Sequence, residues 1–195
     1  YVATLGEMAP VGMHVFAGYP NYQDVVVNQP EQALAFLERL YEEIRLRMES
    51  LYQHKAGRWE EMLSYGPRVM VVVDEYAAIY DDLQGDHRTR YVRAVTNICR
   101  LARKAGIHLV LGVQNPTAES MRPSIRRNTL TQVFQVVDAV ASQAIIQQAG
   151  AERLQGGQYL AVFQDGVHSG AAFDPSDDQL SAYLAERRSR ITVYE

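Results

Sequence analysis

Five consecutive apolar residues, Val69 to Val73, run straight into two carboxylates, Asp74 and Glu75, within the stretch RVMVVVDEYA. Nothing else in the sequence restricts the fold as tightly. A mostly β-branched run without polar alternation reads as a strand covered on both faces, and it is far too short to span a bilayer. Strands of that kind belong to parallel sheets flanked by helices. The two acids at its end need a reason, because burying a carboxylate without a partner is costly. A bound metal ion would remove that cost. The plainer alternative is that the acids cap a helix beginning near Tyr76.

The neighbouring segments fit an α/β sheet. Met13 to Phe16 and Asp24 to Val27 read as short extended pieces, separated by the turn signal GYPN. A long helix is expected over Pro30 to Gln53, with Pro30 in its first turn and one apolar stripe from Ala33 to Leu51. Its charges, including Glu43 and Arg47 four residues apart, read as a solvated face. Arg58 to Leu63 suggests a short helix, ended by Gly66-Pro67. A helix over Arg88 to Ala105 closes at Gly106, and Ile107 to Val113 forms a second buried strand. Leu130 to Val136 reads as a third strand, and Asp138 to Ala149 as a helix capped by Asp138. Gln158 to Phe163 and Val167 to Phe173 flank the hairpin signal QDG, and Ser176 to Arg188 forms a closing helix. Ligands of parallel sheets bind at the carboxyl ends of the strands, where Asp74, Glu75 and Gln114 fall.

Composition narrows the classes further. With 47% hydrophobic and 22% charged residues in 195, the chain reads as a single folded domain or part of one. No secretory signal is visible, and the opening Tyr1 suggests a piece of something longer. A single cysteine, Cys99, fits a reducing compartment and reads as a small buried hydrophobe, with no Cys/His signature around it. The net charge of −4 excludes a protein that grips nucleic acid over its whole surface. Any DNA contact must be local, and Arg122, Arg126 and Arg127 in MRPSIRRN form the one cluster that stands out. The five histidines show no metal-ligand spacing, and His108 reads as an interior residue of its strand.

Several stretches together resemble the FtsK/SpoIIIE family of motor ATPases. AGYPNYQDVVV and LERLYEEIRLRM are similar to the family's strand, turn and long helix, and VMVVVDEYAAIYDDL to its Walker B strand. LARKAGIHLVLGVQNP resembles the hallmark helix–strand unit, and Gly150 to Gly156 (GAERLQG) a later element. The resemblance covers most of the chain. It implies a RecA-like three-layer α/β fold, with a mainly parallel sheet flanked by helices and a C-terminal β-hairpin, residues 1–195 being the distal part of one motor domain. It further implies ATP and Mg²⁺ as cofactors, a hexameric ring, and double-stranded DNA as cargo, for segregation or conjugative transfer. Asp74 carries over as the magnesium-side acid acting through water, Glu75 as the catalytic acid, and Gln114 as the γ-phosphate sensor. Arg122, Arg126 and Arg127 occupy a segment that faces either a neighbouring subunit or DNA. A cytoplasmic location follows, with any membrane tether in an N-terminal region absent from this chain.

Three departures qualify the resemblance. No G-x-x-x-x-G-K-[ST] occurs, so the loop that cradles the β- and γ-phosphates is missing. Because the resemblance begins just past where that loop would sit, truncation is expected rather than degeneration, with a remnant strand in Tyr1 to Pro10. Gln132 and Gln143 stand in or beside positions where the family carries arginines, and Asn115 replaces the arginine after the sensor glutamine. Two alternatives stay open: a motor for protein secretion of the type VII class, and a degenerate ATPase-like docking domain.

Overall fold

A computed structural model describes residues 2–5, 22–25, 29–114, 121–134, 136, 138–163, 165–173 and 175–188. The chain divides into two compact units, residues 1–114 with 177–195, and residues 115–176. Each is described by itself.

In the first unit four parallel strands form a sheet: β1 (Val2–Leu5), β2 (Tyr22–Val25), β3 (Val69–Val73) and β4 (Ile107–Leu111), in the order β2-β1-β3-β4. The extended segment expected near the N-terminus is thus β1, which lies between β2 and β3. The expected piece at Met13 to Phe16 lies outside the described residues. Helix α1 (Pro30–Gln53) has the predicted bounds, with Pro30 at its start. It buries Ala33, Leu34, Leu37, Ile44 and Leu51, each larger aliphatic contributing about 1.5–3 kcal/mol. Two helices follow β3: α2 (Tyr76–Asp82) and α3 (Asp86–Leu101). Helix α3 buries Tyr91, Val92, Ala94, Val95 and Ile98, and it packs along α1. No helix among the described residues is long and apolar enough to cross a membrane.

The strands β3 and β4 are not covered on both faces as their sequence predicts. Val71 and Val73 are fully buried, whereas Met70 and Val110 are each 44% exposed. Met70 pairs with His108, and Val72 with Val110, so the more open side chains share one face. His108 is correspondingly exposed rather than interior. An uninterrupted apolar run reports the chemistry of both faces of a strand but not whether the molecule covers them.

One residue read as part of a wet face is in fact buried. Arg47 is 8% exposed. Its Nε donates to Glu43 Oε1 at 2.7 Å, and its Nη1 to the carbonyls of Pro67 (3.0 Å) and Ala105 (3.2 Å). The guanidinium lies 4.5 Å from the ring centroid of Trp59, a buried residue of the 3-10 turn Trp59–Tyr65. Trp59 in turn donates Nε1–H to Gly66 O at 2.9 Å, and its amide donates to Lys104 O at 3.0 Å. This node ties α1, the segment before β3 and the end of α3 together. Gly106 closes it, with φ +69° and a position at which an added Cβ would lie 2.5 Å from Trp59 Cδ1. Gly106→Ala should therefore destabilise the fold by about 2–4 kcal/mol, combining left-handed strain with overpacking, as read from urea unfolding.

Cys99 is half-buried on α3, and burial pushes its thiol up to about 11. Only the thiolate is the nucleophile. Alkylation by iodoacetamide near pH 8 should thus be slower than for a free thiol by on the order of 10²-fold, and denaturant should restore it.

The second unit contains a three-stranded antiparallel sheet in the order β5-β6-β7, made of β5 (Thr131–Val133), β6 (Gln158–Phe163) and β7 (Gly166–Ala171). The third strand expected in the parallel sheet is thus β5, and it pairs antiparallel with β6 instead. Strand–helix alternation alone does not distinguish a parallel strand from one that joins a later hairpin. The hairpin β6–β7 turns at the predicted place, with Phe163 opposite Gly166. Two short helices, α4 (Pro123–Arg126) and α5 (Ala139–Ile146), belong to this unit. Asp138 caps α5 as expected, Oδ1 accepting from Ala141 N at 2.8 Å. Val133, Ile146 and Ala151 form the unit's small core, packed by Leu154, Leu160 and Val162. The closing helix α6 spans Asp177–Arg188.

Candidate nucleotide site

The carboxyl end of β3 carries the acid pair, and the chain leaving β4 carries Gln114 three residues past the strand's end. Val73 pairs in register with Leu111, and Gly112 N donates to Val73 O at 2.8 Å. Tyr76 N donates back to Gly112 O at 2.9 Å, so the turn after β3 is stitched to the end of β4. Asp74 lies over Gly112, where an added Cβ would come 2.8 Å from Asp74 Oδ1. Gln114 is exposed, while Asp74 and Glu75 are half-buried.

The backbone at the acid pair is unusual. Glu75 adopts φ 51° and ψ 42°, the left-handed region, immediately before α2. A non-glycine residue there costs on the order of 1 kcal/mol. Its amide donates to Asp74 Oδ1 at 3.0 Å. Glu75, the residue preceding α2, makes no side-chain cap bond to the helix, so the plain reading of it as a helix cap lacks the hydrogen bond it requires. Buried Tyr76 and Tyr91 stack beneath the turn at 5.1 Å, and Tyr91 donates its hydroxyl to Tyr76 O at 3.4 Å. Nothing in the spacing of the two tyrosines in sequence identifies them as neighbours of this turn.

One carboxylate at a strand end suits a hard cation that keeps most of its water, as Mg²⁺ does. No group of three or more His, Cys, Asp or Glu side chains converges among the described residues. Asp74 is a donor of the type that such an ion takes, at the strand end where a single carboxylate stands. The strand end supplies no phosphate cradle of its own, in keeping with the missing G-x-x-x-x-G-K-[ST].

The arginine cluster lies in the second unit and does not act as one group. Arg122 and Arg127 are exposed at the two ends of α4. Arg126 is half-buried, and its Nη1 donates to Ala144 O in α5. Its Nε is buried without a hydrogen-bond partner among the described residues. Gln143 is exposed and donates to Gln147 O at 2.8 Å. The side chain of Gln132, and all of Asn115, lie outside the described residues.

Comparison with known proteins follows the same lines. The chain is 31% identical over 162 residues to the DNA translocase FtsK of Sporosarcina ureae, covering 75% of this chain and 20% of that protein. It is 28% identical over 162 residues to the FtsK of Listeria monocytogenes, covering 75% and 21%. The chain is thus similar, over three quarters of its length, to FtsK-type DNA translocases. No family model matches it. Among solved structures it superposes on the pCW3 conjugation coupling protein TcpA bound to ATPγS, with a TM-score of 0.78 at 22% identity, covering 96% of this chain and 56% of that one. The type VII secretion ATPase EccC of Thermomonospora curvata gives a TM-score of 0.67 at 18% identity, over 94% of this chain and 24% of that one. These likenesses establish the fold as that of RecA-like P-loop ATPase motor domains, with a parallel sheet, flanking helices and a C-terminal hairpin. The chain spans about a fifth of the length of the curated FtsK relatives it matches.

Proposed function

We propose that this chain is the magnesium-side half of an ATP-driven motor that moves double-stranded DNA. The observation that carries the reading is the Asp74-Glu75 turn at the carboxyl end of a parallel strand, in a chain related by sequence to FtsK translocases. Residues 1–195 then form the distal part of one motor domain, and the phosphate-binding loop belongs to sequence preceding them in the parent protein.

Bound Mg²⁺-ATP would supply an activated γ-phosphoryl group whose charge the ion offsets. Asp74 would hold the ion, through its water shell. Glu75, projecting from the left-handed position, orients the attacking water and accepts its proton at a side-chain oxygen. Gln114, exposed past the end of β4, contacts the γ-phosphate through its amide. Arg122 and Arg127 are free to reach a neighbouring subunit or DNA, whereas Arg126 is tied to α5. The parent assembles as a hexamer on the cytoplasmic side of the membrane, where ATP is available.

Steady-state ATP hydrolysis by the parent protein, with and without duplex DNA, tests the reading. Turnover stimulated by DNA supports a translocase. Turnover indifferent to DNA would move the assignment to a protein-secreting motor, the reading that the EccC likeness favours. No turnover at all would leave a docking domain, as the glutamines at positions 132 and 143 suggest.

A further inference from the structure

Six cationic residues lie between Arg88 and Lys104, and the only acid on this helix is Asp86 at its start. Two of the six are occupied. Arg88 bonds to the carbonyls of Leu83 and Asp81, and Arg90 forms a two-bond pair with Glu38 at 3.0 and 2.7 Å. The other four, Arg93, Arg100, Arg103 and Lys104, are exposed and have no ion-pair partner among the described residues. The carboxylates of α1 that approach this side are already committed: Glu38 to Arg90, Glu42 to Arg45 and Glu43 to Arg47.

Helical spacing aligns two of the four. Positions 93 and 100 fall within about 20° of one another around the axis and lie about 10 Å apart along it, and Arg103 and Lys104 follow in the turn after the helix. Beyond the helix end the structure adds a residue remote in sequence. Arg47 Nη1 contacts both Pro67 O and Ala105 O, so the backbone of exposed Arg68 runs beside that of Ala105 and Gly106, next in sequence to Arg103 and Lys104. Val69 N also donates to Gly106 O at 2.9 Å, which fixes that neighbourhood at the amino ends of β3 and β4. The acid pair is at the opposite ends of those strands, so both places can be occupied at once.

We propose that this patch, Arg93 and Arg100 on α3 with Arg103, Lys104 and Arg68 beyond its end, is a contact for the phosphate backbone of duplex DNA, separate from the arginines of α4. An unneutralised patch of cations on a chain of net charge −4 is a local anion-binding surface. The spacing of Arg93 and Arg100 matches about three phosphates of one strand, at about 3.4 Å of axis each. Arginine is suited to phosphate because its planar fork donates two bonds at once. The choice of DNA as the anion rests on the translocase reading above.

The test is anisotropy of a labelled duplex of about 30 bp, titrated with the 195-residue chain at about 50 and 200 mM salt. The combined change Arg93→Ala, Arg100→Ala, Lys104→Ala should weaken low-salt binding at least about 10-fold and lower the salt slope by about 2.7. Arg93→Lys with Arg100→Lys should keep that slope, since the charge is kept. All these positions are exposed, so an unchanged thermal melt confirms that folding is intact. If the triple variant binds as the parent chain does while Arg122→Ala with Arg127→Ala weakens binding, the patch is wrong and the DNA reading survives. If the unaltered chain ignores DNA at low salt, or binds polyglutamate more tightly than DNA, the proposal is overturned. Hydrolysis by the parent protein judges the motor reading independently of either result.

Discussion

Glu75→Gln should lower steady-state ATP hydrolysis by the complete motor about 10²–10⁴-fold while leaving nucleotide binding essentially unchanged. Glutamine keeps the size and the left-handed backbone but cannot accept a proton from water. On the proposed reading Asp74 remains to hold the ion, and the bond from the residue 75 amide to Asp74 Oδ1 uses a main-chain donor that survives the change. Asp74→Asn should behave differently, weakening the magnesium requirement and binding together. Binding of a fluorescent ATP analogue, measured beside hydrolysis in both variants, separates the two roles. Undiminished turnover in Glu75→Gln would remove that residue from the chemistry.

Trp59→Ala should be the most damaging single change to the fold, at about 3–5 kcal/mol. The indole is 3% exposed and contacts three segments at once. Its loss leaves a cavity beside Leu51 and Met62, which share its cluster. It also removes the ring beneath the Arg47 guanidinium and the donor to Gly66 O. Arg47 would stay buried with Glu43 but without its aromatic platform, so the two effects are not separable by area alone. With an ordinary domain stability of about 5–15 kcal/mol, a melting temperature lower by roughly 6–20 °C is expected in calorimetry. Trp59→Phe keeps a ring under Arg47 and loses only the Nε1–H donor and some volume, so it should fall well short of the alanine variant.

Local chemistry made much of this legible in advance. Helix α1 was readable to the residue because Pro30 starts it and its apolar stripe repeats at helical spacing. The acid pair was readable because charges rarely follow five apolar residues, and the structure adds that no cap bond explains Glu75. What the sequence did not disclose depends on contacts far along the chain. Arg47 looked like any helix-surface arginine until Pro67 and Ala105 presented their carbonyls to it. The partner of β5 could not be told from its three residues, since Thr131, Gln132 and Val133 suit either sheet. His108 seemed interior because its neighbours are apolar, yet strand alternation turns it outward. The arginines of MRPSIRRN read as one cluster, and only the bond from Arg126 to Ala144 separates them.

The left-handed backbone at Glu75 sets stability against chemistry at one position. Glycine or asparagine accepts φ 51° at less cost than glutamate does. Selecting variants of this chain for heat tolerance alone would therefore favour Glu75→Gly or Glu75→Asn, each gaining up to about 1 kcal/mol while deleting the group assigned to activate water. A thermostable descendant obtained without a functional screen would tend to be a well-folded motor part that no longer turns over.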